Sequence, residues 1–310
     1  MTSFNKPAPK TNPLLWLGFG KLAREFSQLS EASDYQLHAI CRSEKPDYSG
    51  FSPILSDVGE PKNYRSILQS DNLNLVITLT PAQRSDEAYR DGYVAPTKAL
   101  CELFERENLS PRRIVFVSST GVYGQSDGGW VDESSDASAE HFSGRRIREA
   151  EDRLLATGLP VVCLRFSGIY GADRNRLLQK VMSDARSVDP KNPEIIVEGA
   201  WTNRVHQHDC ARAISHVLSL ESPQEIYLGT DDLPVINAEV YQHIADSLGL
   251  SIVYRTSNDE PKAKRLSNQR LKQSGFSFDY ENFKEGYRET LAAFVAANET
   301  ALSELRQALK

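Results

Sequence analysis

The chain has 310 residues, enough for one large domain or for a core domain with a smaller lobe. With 40% hydrophobic and 25% charged residues it is neither a disordered nor a fibrous chain, and a formal net charge of -6 with both signs mixed leaves no basic stripe for nucleic acid. The opening MTSFNKPAPKTNP lacks the apolar core of a signal peptide and PLLWLGFG is too short to span a bilayer, so a cytoplasmic protein with no membrane partner is expected.

After about a dozen residues expected to be a mobile tail (1-12), short apolar runs alternate with longer helical patterns. Strands are predicted near Pro13–Gly18, Tyr35–Cys41, Ser52–Leu55, Leu73–Thr78, Arg113–Val117 and Leu159–Leu164, with helices between them. Arg84–Leu109 is one long helical segment that Pro96 should kink or break. The stretch Tyr123–His141 is a long, acidic, Ser- and Gly-rich loop, and loops of that kind tend to be functional or disordered. HFSGRRIREAED then opens a helix, with Ser143 read as its cap.

Beyond Leu164 the pattern is less regular. It gives a helix at Asn175–Ala185, a strand near Glu194–Val197, a helix Asp209–Leu220 capped by Asp209, and a strand Glu225–Leu228. A helix Asn237–Leu248 and a long C-terminal helix from about Tyr280 follow. In that last helix Phe283, Tyr287, Leu291, Phe294 and Val295 recur at three- and four-residue intervals, as core or a subunit contact. The whole reads as α/β, a doubly wound parallel sheet with a smaller, interleaved C-terminal lobe. Cys41, Cys101, Cys163 and Cys210 are scattered, which predicts isolated thiols, no disulfide and no zinc.

WLGFGKLA places Gly18, Gly20 and Ala23 in a G-x-G-x-x-A pattern where the first strand turns into a helix. Gly18 permits the turn, Gly20 lets backbone approach a pyrophosphate, and Ala23 lets helix and strand pack closely. The second strand ends in AICRSEKPD, with Cys41, Arg42 and Ser43 where a ribose-binding carboxylate would stand in an NAD site. A guanidinium there suits a 2′-phosphate, so NADP is the cofactor expected, with NAD left open.

Together with IVFVSSTGVYG, GWVDESS, SGRRIREAED, VVCLRFSGIYGADRNRLL, NRVHQHD and YLGTDDLPV, this motif resembles the extended short-chain dehydrogenase/reductases. The likeness is greatest to their atypical, NAD-dependent epimerase/dehydratase-like group, and it covers nearly the whole chain after the tail. The resemblance implies a Rossmann-type NAD(P)-binding domain over 13-165. It also implies a substrate lobe over 166-310, with segments returning to the core and a nucleotide-sugar-like or other small carbonyl or alcohol substrate. Typical members use a Ser or Thr to hold the reacting oxygen, a Tyr as general acid/base and a Lys four residues later.

Ser119, with Thr120 beside it, stands where the family keeps its hydroxyl, four residues before Tyr123. The Tyr-x-x-x-Lys pair is missing: the matching positions are Phe142 and Arg146, and a one-residue shift gives Ser143 and Ile147. Arg146 cannot give up a proton near neutral pH but can bond a cofactor ribose or a substrate phosphate. Substitutes for the phenol are His141, Tyr123, Asp132 or Glu133. Arg174, Asn175 and Arg176 suit a substrate phosphate or carboxylate, and Asn203 and His206 in NRVHQHD are read as touching substrate or positioning the lobe. Two functions remain open: an NADP-dependent oxidoreductase or epimerase, or a nucleotide-binding sensor or scaffold with little catalysis. A homodimer is open as well.

Overall fold

The computed structural model describes residues 12–258 and 260–309. The tail expected at 1-12 falls outside the described residues up to position 11. The described chain forms two compact units. The first runs through Val122 and takes in Ser138–Arg165 and Ala211–Tyr227; the second takes Tyr123–Ala137, Phe166–Cys210 and the chain from Leu228 onward.

The first unit is built on a seven-stranded sheet. Its spatial order is Ile226–Gly229, Val161–Phe166, Arg113–Ser119, Asn74–Ile77, Asn12–Leu17, Tyr35–Cys41 and Ser52–Leu55. Asn12–Leu17 pairs in parallel with strands on both sides, Leu14 opposite Leu37 and Asn74. Every residue of Asn74–Ile77 and of Val161–Phe166 is buried. Strands buried along their whole length, here with Asn74 and Arg165 as polar members, are covered on both faces, and each buried Leu, Val or Ile contributes roughly 1.5–3 kcal/mol. This is the doubly wound architecture expected.

The Pro96 segment is resolved into three pieces: a helical turn Asp86–Tyr89, a five-residue π turn Arg90–Val94, and the helix Ala95–Glu107. Pro96 cannot donate an amide, and the wider turn just before it absorbs that missing bond. At the opposite end of the sheet, Arg112 and Arg113 donate to the carbonyls of Leu218, Leu220 and Glu221, which close the helix Gln207–Ser219.

In the second unit the helices Arg176–Ser187, Asn237–Ser247 and Phe283–Ala308 enclose a core of Leu178, Val181, Ile244, Leu248, Tyr287 and Leu291. Phe283 and Phe294 lie in the same core and Val295 packs on it, so the apolar stripe of the last helix faces inward. Four two-stranded sheets complete the unit, among them a parallel pair between Asp127–Val131 and Ala263–Leu266. Part of the stretch expected to be a loop is therefore a strand. Among the described residues no helix is long and apolar enough to cross a membrane.

Three helix starts differ from expectation. Ser143 is not the cap of its helix: His141 is, its Nδ1 accepting the Ser143 amide at 3.3 Å and meeting the Ser143 hydroxyl at 2.8 Å. Asp209 lies inside the first turn of Gln207–Ser219, and its carboxylate accepts the amides of Asp279 and Tyr280 instead of capping. The last helix begins at Phe283, because Asn282 accepts the amides of Lys284 and Glu285.

Candidate functional site

The turn after the first strand is tight at one glycine and open at the other. Gly18 has φ +90, and a Cβ there would overlap the Thr78 carbonyl, so only glycine fits. Thr78 locks the turn by donating its hydroxyl to Gly18 O at 2.7 Å while accepting Trp16 Nε1, also at 2.7 Å. Around Gly20 there is nothing within 4 Å of a Cβ position, and Gly20 opens the helix Lys21–Ser27 with no side-chain cap. Ala23, on the inward side of that helix, is fully buried. The arrangement fits a pyrophosphate laid against bare backbone.

At the end of the second strand Arg42 and Ser43 are exposed, and Arg42 makes no ion pair or hydrogen bond among the described residues. Lys45 donates to Ser43 Oγ at 3.1 Å, a second cation at this spot that the sequence reading passed over. Its signal was the basic character of RSEK just past the strand.

Ser119 ends the strand Arg113–Ser119, and its Oγ accepts the Gly121 amide at 3.1 Å across the turn Thr120–Val122. That leaves the hydroxyl proton available to a ligand oxygen. Thr120 is buried. One residue earlier, Ser118 donates to Glu151 Oε1 at 2.5 Å, which ties this strand end to the helix Phe142–Leu155. Gly144 presses that helix onto the same turn, since a Cβ there would overlap Gly121 O and Ala139 Cβ. Neither contact was anticipated, although a glycine inside a helical pattern was the available clue.

Phe142, expected from the sequence motif to stand in place of a phenol, meets Tyr89 edge-on with ring centroids 5.5 Å apart. Arg146 donates to both oxygens of Asp86 at 2.9 Å and to Glu149 at 2.9 Å. Hydrogen bonding from Arg146 holds the Asp86 carboxyl below its usual range, and the two carboxylates keep Arg146 firmly protonated. His141 is exposed and engaged with Ser143.

The second unit holds the other expected residues. Tyr123 is buried, and its carbonyl accepts Lys264 Nζ at 2.8 Å; burial holds that amine below the usual lysine range. Asp132 takes amides and hydroxyls from Ser134 and Ser135, with its carboxyl held low by the Ser134 hydroxyl. Glu133 is buried, raised by burial, and accepts the Leu228 amide at 2.8 Å. Both loop carboxylates are thus committed to structure.

Arg174 reaches Gln207 Oε1 at 3.4 Å, and Gly171 backs closely onto His206 and Gln207, so this turn and NRVHQHD come together. Asn175 precedes the helix Arg176–Ser187 without capping it, and Arg176 is exposed. Asn203 spends its amide on Lys264 O and Leu266 N, holding a strand. The His206 ring centroid lies 3.9 Å from that of Tyr280, tilted to it, and 5.3 Å from that of Tyr170, edge-on.

With that geometry in hand, comparison with known proteins assigns the class. The chain belongs to the NAD dependent epimerase/dehydratase family, whose model matches residues 20–229. It is 32% identical over 215 residues to Protein YeeZ of Escherichia coli strain K12, across 66% of this chain and 71% of that protein. A solved structure from Methylobacillus flagellatus, described as a candidate NAD-dependent epimerase/dehydratase, is 30% identical with TM-score 0.74, over 92% of this chain and 99% of that one. The dTDP-glucose 4,6-dehydratase of Bacillus anthracis str. Ames, solved in complex with NAD, shares the fold at TM-score 0.72 and 19% identity, over 95% and 99% of the two chains.

Proposed function

We propose that the protein is an NADP-dependent oxidoreductase or epimerase acting on a nucleotide-sugar-like or other small carbonyl or alcohol substrate. The carrying observation is the pairing, in one unit, of a bare glycine turn at Gly18 and Gly20 with an unpaired Arg42 at the end of the next strand. Backbone at Gly20 would receive the pyrophosphate; Arg42, Ser43 and Lys45 would receive a 2′-phosphate. Bound there, the nicotinamide would accept or donate a hydride. Ser119 would hydrogen-bond the reacting oxygen; within the second unit, Arg174, Asn175 and Arg176 would suit a phosphate or carboxylate. NAD in the Bacillus anthracis relative supports the dinucleotide class, and that relative's nucleotide-sugar name supports the substrate class. We read the protein as cytoplasmic, with a small molecule and no nucleic acid or membrane as its partner, and a homodimer is compatible with this.

A second reading, a nucleotide-binding sensor or scaffold, is favoured by Phe142 having no hydroxyl and by Arg146 being held by Asp86 and Glu149. One experiment separates the two. NADPH and NADH binding is measured by fluorescence, and nucleotide sugars and simple carbonyls are then screened for change at the nicotinamide in wild type and Ser119→Ala. Turnover that falls in Ser119→Ala supports the enzyme. Nucleotide binding without turnover on any substrate supports the sensor.

A further inference from the structure

We propose that Tyr89 provides the phenol that is missing at Phe142, so that proton transfer in this chain comes from the helix before the usual one; this rests on the enzyme reading above. Four observations within the first unit lead there. Ser119 bonds the Gly121 amide, and Gly121 O lies against Gly144, so the first turn of the helix Phe142–Leu155 sits on the turn that follows Ser119. Phe142, two residues before Gly144, touches Tyr89 edge-to-face at 5.5 Å. Asp86, three residues before Tyr89, is clamped at two points by Arg146, which fixes the two helical turns against each other. The Tyr89 hydroxyl makes no hydrogen bond among the described residues, and its ring is only half-buried.

The neighbouring Tyr93 is the poorer candidate. Its ring is turned towards Phe116 in the sheet, and burial pushes its phenol up to about 12. Tyr89 is the phenol that meets Phe142 itself. Charged and titratable groups around it are Asp86, Glu87, Arg90 and Tyr93 on its own helix and His141, Arg145, Arg146 and Glu149 on the helix packed against it. A positive nicotinamide ring bound beside the hydroxyl would favour the phenolate. In the oxidising direction the substrate O–H proton passes to the Tyr89 phenolate, C=O forms, and the C–H electron pair leaves as hydride to the oxidised nicotinamide. In reduction the phenol returns that proton.

The test is a phenol titration by ultraviolet difference absorbance on wild type, Tyr89→Phe and Tyr93→Phe, with and without NADP+ and NAD+, beside steady-state kinetics. The expected result is a nucleotide-dependent downward shift of one phenol in wild type and Tyr93→Phe that is absent in Tyr89→Phe. Nucleotide Kd should be unchanged across the three, which also reports that each is folded. Turnover of Tyr89→Phe should fall about 10²- to 10⁴-fold with KM held. A shift that survives Tyr89→Phe, or Tyr89→Phe turning over as fast as wild type, overturns the proposal. Should wild type turn over no substrate, the enzyme reading fails on its own, while the titration still decides whether Tyr89 lies against the nicotinamide.

Discussion

Arg165 and Glu151 form a two-point ion pair wholly out of solvent, Nε to Oε1 at 2.9 Å and Nη2 to Oε2 at 2.6 Å. With Ser118 on the same carboxylate, the pair joins two central strands to the helix that stands over the Ser119 turn. Taking two charges out of water is costly, so removing one partner should be worse than removing both. Glu151→Ala is expected to lose about 3–5 kcal/mol of unfolding free energy in urea denaturation, and Glu151→Leu with Arg165→Met to recover most of it. A single variant within about 1 kcal/mol of wild type would show that the pair does not hold the layers together.

Gly144 offers a sharper probe of the same junction. An alanine Cβ would overlap backbone at Gly121 and the Ala139 side chain, and backbone cannot swing aside as a long side chain can. Overpacking of this kind costs about 1–3 kcal/mol, although alanine is the better helix former. Gly144→Ala should therefore destabilise the protein and displace the Ser119 turn. An increase in melting temperature would mean that the helix has room there.

The strands Tyr35–Cys41, Ser52–Leu55 and Glu194–Val197 were legible to the residue, because apolar runs between turn residues announce strands locally. The Gly18 turn was legible because its positive φ leaves no other residue type. Glu151 was not: in REAEDRLL it looks like one more surface charge, and only the fold reveals that its face of the helix is buried. Arg146 was read as facing a cofactor, whereas the partner that holds it, Asp86, lies 60 residues away and could not be named from spacing. Trp201–Thr202 and Val235–Ile236 are two-residue strands, too short to show any period.

Arg42 carries the cofactor preference and is easily tested. Because it is exposed and unpaired among the described residues, its removal should leave the fold alone. Arg42→Ala is expected to weaken NADPH by about 1 to 3 kcal/mol, roughly 5- to 150-fold in Kd, and to leave NADH nearly unchanged. Lys45→Ala should act in the same direction more weakly, since a lysine is a point charge without the guanidinium fork. Equal loss for both nucleotides would remove the 2′-phosphate from this site.

Asp231 makes the second unit sensitive to pH. Its carboxyl is buried with Oδ2 unbonded among the described residues, and burial pushes its pKa up to about 8, with Asp232 and Asp209 adding to the rise and Arg204 opposing it. In the unfolded chain the same group titrates near 3.9. Between those values the folded protein holds a proton that the unfolded chain has released, so stability is fullest below about pH 4 for this group and is lost as pH rises towards 8. The slope is at most about 1.4 kcal/mol per pH unit. Asp231→Asn keeps an acceptor for the Leu233 amide without the charge. Denaturation curves from pH 5 to 8 should show the variant losing less stability than wild type over that range. Parallel curves would mean that Asp231 stays ionised in the folded protein.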